Sequence, residues 1–331
     1  MKICIVGAGA IGGLLGAKLA LAGGCEVSAI ARGQTLRALQ DEGWRLRSGS
    51  RLERAPAKAR AAPAELGPQD VVIVAVKAPA LAQVAQHIAP LLGPTTAVVP
   101  AMNGVPWWFV EGLPAFDGAP LACVDPGGLI GAAIATERVI GCVVHAAASM
   151  PEPGLVEHRH GRGLILGEPG GAASERVGAL AALFNAAGFD ATVSTRIRHD
   201  IWYKLWGNLT MNPVSAITGA TLDRMLDDPL VRDFCSAAMR EATAIGARIG
   251  CHVDQSPDDR HAVTRQLGSV RTSMLQDVEA GRPIELDAIV GAVHEIAARL
   301  GEPAPCIGAL LGLTRLFARG RGLYPDATAA P

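Results

Sequence analysis

The sequence predicts an α/β protein in which an N-terminal Rossmann-type dinucleotide-binding domain is followed by an all-helical C-terminal domain. The chain opens with an apolar strand, a glycine-rich turn and a helix, and further strand-like runs follow up to about residue 195. Beyond that point apolar residues recur at helical spacing in long segments with few strand signals. We therefore predict a dinucleotide-binding domain over residues 1–195 and a helical substrate-binding domain over residues 196–331.

Composition and charge exclude several classes of protein. The chain is 50% hydrophobic and 18% charged, and its formal net charge is −1, so it has no electrostatic footprint for nucleic acid or an anionic membrane. No segment approaches the roughly 20 uninterrupted apolar residues of a membrane span. The seven cysteines form no Cys-x-x-Cys pair, which favours a reducing compartment. We expect a soluble cytoplasmic protein, monomeric or homodimeric, without nucleic-acid or membrane partners.

The N-terminal turn carries the strongest single motif. The apolar run "KICIV" is followed by a G-x-G-x-x-G sequence and then by a segment at helical spacing. The first glycine permits the tight turn, the second lets a pyrophosphate approach the backbone, and the third lets the helix pack on the strand. The free N–H groups of that helix then face the phosphates. The predicted cofactor-binding residues of the turn are Gly7, Ala8, Gly9, Ala10, Ile11 and Gly12.

The end of the second predicted strand indicates which dinucleotide binds. NAD sites usually carry an acid there, about 20 residues after the glycines, to hold the ribose 2′-hydroxyl. Here the strand "CEVSAI" leads to Arg32, and no acid follows before Asp41. A guanidinium suits a 2′-phosphate through charge-assisted hydrogen bonds, whereas the alternative is a solvated loop arginine. We predict NADPH as the cofactor.

Polar residues follow two further predicted strands, at the strand ends where open α/β sheets bind ligands. Lys77 comes after "VVIVAV" (71–76), and Asn103 comes shortly after "TAVVP" (96–100). Each has an ordinary structural alternative, a helix cap for Lys77 and an Asn-Gly turn for Asn103, and the sequence favours neither interpretation. In the hairpins predicted over residues 121–168, His158 and His160 would share one strand face. No third metal ligand is evident, so we favour surface histidines and predict no metal site.

The first segment of the helical half combines apolar and polar faces. Lys204, Asn208 and Asn212 recur every four residues within 197–217, so they form a polar ridge along one side of a helix. Tryptophans and leucines cover most of the remaining surface. The ridge is either solvated or lines a cleft where substrate completes its hydrogen bonding, and we favour the cleft. Further helices are predicted over 222–250, 258–280, 284–300 and 304–318.

The set "GAGAIG", "VKAPAL", "MNGVP", "WYKLWGNLTMNP" and "SMLQDVEAGRPIELD" closely resembles the ketopantoate reductase family over nearly the whole chain. The resemblance implies an active-site cleft between a Rossmann domain and a helical domain. It also implies NADPH-dependent reduction of a 2-oxo acid, 2-dehydropantoate, to pantoate in pantothenate and coenzyme A biosynthesis.

The resemblance also implies roles for individual residues. Lys204 would be the catalytic lysine, which hydrogen-bonds the carbonyl oxygen and delivers its proton. The implied substrate-binding residues are Asn103, Asn208, Asn212, Ser273 and Glu285. The implied cofactor contacts outside the glycine turn are Lys77, Asn103, Ala148 and Glu285. From the residues alone, Glu285 has an alternative as a partner of a helix dipole, since it lies in a predicted first helical turn.

The sequence departs from the family pattern at two places. Asn103-Gly104 is followed by Val105-Pro106-Trp107-Trp108, where small residues are common, and no further asparagine follows Asn212. These departures leave the identity of the oxo acid open. Two alternatives are a reductase of the same architecture acting on another oxo acid, such as a 3-hydroxyacid or opine-type dehydrogenase, and a non-catalytic NADP-sensing protein.

Overall fold

The computed structural model describes residues 1–326, and positions 327–331, the end of the predicted second domain, lie outside the described residues. The chain divides into two compact units. The first unit contains Met1–Met102 and Gly127–Asp200, and the second contains Asn103–Pro126 and the chain from Ile201 onward. The segment Asn103–Pro126 thus belongs by its contacts to the second unit. The boundary near residue 195 stays a prediction.

The first unit is built on two sheets. In chain order its strands are β1 (Lys2–Val6), β2 (Glu26–Ile30), β3 (Trp44–Ser48), β4 (Arg51–Ala55), β5 (Lys58–Arg60), β6 (Gln69–Val74), β7 (Leu92–Pro100), β8 (Gly141–Glu152), β9 (Leu155–Gly167) and β10 (Asp190–Val193). The first sheet is parallel throughout, in the order β5-β2-β1-β6-β7. The runs predicted at 2–6, 25–30, 71–76 and 96–100 all contribute to it, because each is apolar enough to be buried on both faces. The predicted α/β class with a Rossmann-type first domain is confirmed.

The second sheet has the order β10-β9-β3-β4, with β8 paired antiparallel to β9. The β8–β9 pair is the hairpin in the latter part of the predicted hairpin region. The strands β3 and β4, which are rich in arginine, were not predicted from the sequence. Arg45 on β3 is buried because its guanidinium bonds Glu42, Glu152 and the carbonyl of Pro153. Ion pairing thus allows an arginine-rich strand to be buried.

Helices complete both units. In chain order they are α1 (Ala10–Ala22), α2 (Gly33–Glu42), α3 (Leu81–His87), α4 (Leu129–Ala133), α5 (Glu175–Ala186), α6 (Ile197–Thr218), α7 (Leu222–Asp227), α8 (Pro229–Arg248), α9 (Pro257–Arg265), α10 (Ser273–Glu279), α11 (Ala292–Leu300) and α12 (Pro305–Arg319). A π-helical turn, Asp287–Gly291, leads into α11. Within residues 1–326, no helix is both long and apolar enough to span a bilayer.

The long helices predicted for the second half are interrupted at specific residues. The segment 222–250 is divided at Asp228, whose side chain accepts from the N–H groups of Leu230 and Val231 and so begins a new helix ahead of Pro229. The segment 258–280 is divided between α9 and α10, where the Thr272 hydroxyl caps α10. Side-chain caps compete with helical periodicity, so the apolar pattern alone overestimates helix length.

The packing of α9 on α8 gives a pH-dependent prediction. The His261 side chain is buried, its Nε2 lies 2.9 Å from the Ser236 hydroxyl oxygen, and burial lowers its pKa below the usual 6.5. As the pH falls below about 6.5, His261 therefore takes up a proton more readily in the unfolded chain than in the folded chain, and the folded state loses stability. We expect His261→Gln to abolish part of the drop in Tm between pH 7.5 and pH 5.5.

The matched control for this prediction is His160→Gln, because His160 is exposed on β9. Thermal unfolding of the wild type and both variants at the two pH values measures the effect. The relevant quantity is the difference in Tm between the two pH values, because His261→Gln also lowers Tm at both pH values by disturbing the contact with Ser236. An equal drop in wild type and His261→Gln would contradict the assignment.

Candidate functional site

The turn after β1 has the backbone that its glycines predict. Gly7 adopts a φ of +92°, which a side-chain-bearing residue rarely tolerates, and its N–H bonds the carbonyl of Ile30 on β2. Gly9 is the N-cap of α1. A Cβ atom at Gly12 would lie 2.1 Å from the Gly7 carbonyl oxygen, so α1 can begin this close to the turn only with glycine there. A Cβ atom at Gly9 would meet nothing within 4 Å.

This difference gives a prediction that separates ligand contact from folding. Gly12→Ala should lower Tm strongly, because the methyl group would overlap backbone that cannot move aside. Gly9→Ala should leave Tm within a few degrees, because the space at Gly9 is open in the protein alone. If a pyrophosphate occupies that space, Gly9→Ala should weaken dinucleotide binding by about tenfold or more. Calorimetric titration with NADPH and thermal unfolding check both halves, and normal affinity in Gly9→Ala would place the phosphates elsewhere.

A cavity of about 410 Å³ adjoins this turn. Its lining includes Gly7, Ala8, Gly9, Arg32 and Thr35, together with apolar residues from the β6–α3 connection and from α3. Apolar walls with a few polar groups at one side are typical of a site for a planar aromatic ring joined to phosphates. The residues present therefore fit a dinucleotide, whose pyrophosphate would lie at the N-terminus of α1 and whose adenosine part would lie in the cavity.

Arg32 lies at the mouth of that cavity. It is the N-cap of α2, its side chain is exposed, and its Nη1 donates to Oε1 of Gln83 at 2.9 Å. The amide holds the guanidinium over the cavity without neutralising its charge. Among residues 1–326, no acidic side chain lines the cavity. Thr35 and Gln83 were not predicted from the sequence, since polar residues at these places in helices give no periodic signal.

The other candidates in the first unit lie on different elements. Lys77 is exposed and is the N-cap of the short 3₁₀ turn Ala78–Ala80 that follows β6. Ala148 lies on β8, paired with His158 of β9. The His158 ring lies against the Gly161 carbonyl, with Nε2 at 2.6 Å from the oxygen. Over residues 1–326, no group of three His, Cys, Asp or Glu side chains is placed to hold a metal ion.

In the second unit, α6 is anchored through its tryptophans. The indole N–H of Trp206 donates to the Met239 carbonyl at 2.8 Å, and that of Trp202 donates to the Ala242 carbonyl at 3.2 Å. Both acceptors lie on α8, and both tryptophans are buried. Trp202 and Trp206 therefore fix the rotation of α6. Because Lys204 is two residues from each, it projects from the opposite side of the helix.

Lys204 and Asn103 are brought into direct contact. The Lys204 Nζ donates to Oδ1 of Asn103 at 2.9 Å, across 101 positions of sequence, and both side chains are partly buried. This contact orients the asparagine amide, since its oxygen is engaged and its NH₂ group points away from the amine. The result is an ammonium donor and an amide donor on two side chains in direct contact.

The loop that carries Asn103 is itself held by the π-helical turn. Gly104 has a φ of +84°, and a Cβ there would lie 2.5 Å from the Ala288 carbonyl oxygen. The N–H of Val105 donates to that same oxygen at 2.8 Å. The following residues, Trp107 and Trp108, are buried, with exposures of 4% and 0%. The two tryptophans that depart from the family pattern therefore contribute to the core that supports this loop.

The remaining predicted residues of the second unit differ in their exposure. Asn208 is half-buried and Asn212 is buried, on successive turns of α6 after Lys204. Ser273 is exposed as the first residue of α10. Glu285 is buried, three residues before Ala288 and thus next to the segment that holds the Asn103 loop. Asp277, also among the acids of this region, pairs with Arg282 at 3.0 Å and so has a structural role.

The segment of Glu285 is fixed from the C-terminal side. Tyr324 donates its hydroxyl to Oδ1 of Asp287 at 2.6 Å, and the N–H of Ile284 donates to the Leu323 carbonyl. Burial raises the pKa of Asp287 above its usual range, while the Tyr324 hydrogen bond opposes that shift. Ile284 and Asp287, which flank Glu285 and Leu286, are thus held in place, and this limits the freedom of the Glu285 side chain.

Chemically, the two units offer complementary functions. The first has a glycine-rich turn, a helix N-terminus and an arginine, which together suit a phosphorylated dinucleotide. The second has a lysine ammonium, amide groups and a buried carboxylate, which suit a small polar substrate whose oxygen gains negative charge during reaction.

Both halves of the chain match models of a known family. The family model described as "Ketopantoate reductase PanE/ApbA" matches residues 3–171, and the model "Ketopantoate reductase PanE/ApbA C terminal" matches residues 196–318. A curated 2-dehydropantoate 2-reductase from Mesorhizobium japonicum is 47% identical over 98% of this chain and 100% of its own length.

Solved structures give the same result. A crystal structure of a putative ketopantoate reductase from Ralstonia solanacearum MolK2 is 57% identical, with a TM-score of 0.93 over 98% of this chain and 99% of that one. A 2-dehydropantoate 2-reductase from Geobacter metallireducens GS-15 is 28% identical, with a TM-score of 0.83 over 96% and 100% of the two chains. Sequence and fold agree over both units.

Proposed function

The chain belongs to the ketopantoate reductase family and is an oxidoreductase, and from that premise we propose that it reduces 2-dehydropantoate to pantoate with NADPH. The product would enter pantothenate and coenzyme A biosynthesis. The observation that carries the proposal is the hydrogen bond from the Lys204 ammonium to the Asn103 amide oxygen. Lys204 lies on α6, and the opposite side of that helix is anchored to α8. The curated relative with 47% identity supports the choice of oxo acid.

NADPH, when bound, supplies the hydride for the ketone carbon. The residues that would hold it are the glycine turn Gly7–Gly12 for the pyrophosphate and Arg32 for the 2′-phosphate. Gln83 accepts from only one guanidinium nitrogen of Arg32, so other N–H groups are available to an anion. Lys77, Asn103, Ala148 and Glu285 are further proposed contacts.

Lys204 stabilises the negative charge that develops on the substrate oxygen. Its ammonium has three donors, and Asn103 takes one of them. A donor directed at the carbonyl oxygen polarises it, and the same group then transfers its proton to the alkoxide, which gives the 2-hydroxy acid. Asn103 keeps the amine in one position, so less reorganisation is needed when the charge appears. Lys204 is thus proposed as the general acid.

The other polar groups orient the substrate. Asn208 and Asn212 continue the line of donors and acceptors along α6 after Lys204, and they add no charge that would compete with the ammonium. Glu285 would accept a hydrogen bond from a substrate hydroxyl or from the cofactor. Ser273, exposed at the start of α10, is proposed for the substrate's carboxylate end.

The test of the proposed function is NADPH oxidation followed by absorbance, with 2-dehydropantoate beside pyruvate and bulkier 2-oxo acids. We expect 2-dehydropantoate to give the highest kcat/KM, and NADPH to be preferred over NADH. Turnover of a different oxo acid at a higher kcat/KM would replace the substrate but keep the reaction class. NADPH binding without turnover of any oxo acid would instead indicate a dinucleotide-sensing protein.

A further inference from the structure

An arginine that the proposed reaction does not yet use lies against α6. Arg260, on α9, is half-buried, and its guanidinium carbon lies 5.3 Å from the ring centroid of Tyr203. Its Nε is buried and has no hydrogen-bond partner among residues 1–326. A buried guanidinium N–H without an acceptor is costly, so the position of this side chain needs a reason beyond its stacking on the tyrosine.

The helix α6 makes room for this guanidinium. A Cβ atom at Gly207 would lie 2.9 Å from both Nε and Nη2 of Arg260, so only glycine permits the observed approach. Glycine inside a helix costs about 1 kcal/mol relative to alanine. Gly207 has no left-handed backbone to explain it, since its φ is not among the positive values. A side chain at position 207 would therefore displace the Arg260 guanidinium from its observed position.

The location places the guanidinium beside the polar ridge. Gly207 lies three residues after Lys204 and directly before Asn208, so Arg260 contacts α6 within one helical turn of the Lys204 backbone, on the side of Tyr203. Several other arginines of this unit have carboxylate partners, among them Arg265 with Asp227, Arg282 with Asp277 and Arg299 with Glu295. Arg260 has no carboxylate partner in the described part of the chain, which leaves its charge available to a ligand.

We propose that Arg260 binds the carboxylate of the 2-oxo acid. In such an acid the carboxylate and the carbonyl are bonded to each other, so the groups that bind them must lie close together. The planar guanidinium matches a carboxylate better than an ammonium does, because it donates two parallel hydrogen bonds. Lys204 then remains for the carbonyl oxygen. This assignment rests on the proposed function and adds a second binding group to the one proposed at Ser273.

The experiment compares 2-dehydropantoate with its uncharged primary amide as substrates for the wild type and for Arg260→Gln. We expect kcat/KM for the acid to fall about 10- to 100-fold, mainly through KM, because one charge-assisted hydrogen-bonded pair is lost. The value for the amide should change less than threefold, so the ratio of acid to amide should fall. If Arg260 had a purely structural role, Arg260→Gln would lower kcat/KM equally for the acid and the amide. The ratio of the two kcat/KM values would then stay unchanged, and that result would overturn the assignment.

Further variants keep the test decisive. Gly207→Ala should displace the guanidinium and so lower the ratio of kcat/KM for the acid to that for the amide. The double variant Gly207→Ala, Arg260→Gln should have the same ratio as Arg260→Gln alone. If Arg260→Gln does not fold, Arg260→Lys, which keeps the charge but loses the planar donor pair, should show an intermediate loss. Arg265→Gln on the same helix is the matched control, because its guanidinium pairs with Asp227. It should keep the wild-type ratio.

The outcomes distinguish this proposal from the proposed function. A wild type that reduces no 2-oxo acid would contradict both. A wild type that reduces the acid, together with an Arg260→Gln variant that keeps the wild-type ratio of acid to amide, would overturn only the role of Arg260.

Discussion

Replacing Lys204 by alanine should lower kcat by about 10²- to 10⁴-fold, because the variant loses both the donor that stabilises the alkoxide and the proton source. The affinity for NADPH should change less than threefold, since the glycine turn and Arg32 lie on other elements. Stopped-flow measurement of NADPH oxidation at saturating 2-dehydropantoate gives kcat, and calorimetric titration gives the affinity for the cofactor.

Two variants control this result. Lys58→Ala removes an exposed lysine that pairs with Glu26 on the parallel sheet, and it should keep wild-type turnover. Asn103→Ala keeps the Lys204 amine but removes the amide oxygen that accepts its hydrogen bond at 2.9 Å. This variant should therefore lower kcat less than Lys204→Ala does. Near-normal kcat in Lys204→Ala, at unchanged Tm, would remove this lysine from the chemistry.

Replacing Arg32 by alanine should change the preference between the two dinucleotides by roughly 100-fold. Charge-assisted hydrogen bonds contribute about 1.5–3 kcal/mol of binding free energy. NADH lacks the 2′-phosphate, so its binding does not depend on these bonds. We therefore expect kcat/KM with NADPH to fall while the value with NADH stays within about threefold. Measuring both cofactors at fixed ionic strength isolates this contact from general attraction of the phosphates.

Arg37→Ala is the matched control, because Arg37 is an exposed arginine on the same helix, α2, one turn further along. Losing it removes the same net charge without removing the side chain that lines the cavity. If the two variants reduce the use of NADPH equally, a diffuse positive field selects the cofactor. If Arg32→Ala keeps the wild-type preference, the 2′-phosphate is bound elsewhere.

The site could be predicted from the sequence where a short segment supplies all the geometry. The glycine turn is such a case, since Gly7 and Gly12 are needed for reasons within a dozen residues. The ridge of Lys204, Asn208 and Asn212 is another, because helical spacing alone aligns it. By contrast, the Gln83 contact to Arg32 and the approach of Arg260 to Gly207 join residues about 50 positions apart. No local pattern carries that information.

The fold shows the same division. Apolar runs identified the central strands of the parallel sheet, because burial on both faces demands continuous hydrophobicity. The strands β3 and β4 were missed because their arginines resemble loop sequence. Arg45 is buried only because Glu42, Glu152 and a backbone carbonyl meet it, and Glu152 lies 107 residues away.

The sequence by itself determined the order of a dinucleotide-binding half and a helical half, the glycine turn, and the residue types available for reduction chemistry. These follow from local backbone sterics and from the periodicity of burial, which act between neighbours in the chain. Only the tertiary structure decided that Asn103 meets Lys204, that Trp107 and Trp108 are buried, and that the chain from Asn103 to Pro126 packs with the helical unit. Such contacts depend on which distant segments become neighbours, and that is fixed by packing of the whole chain.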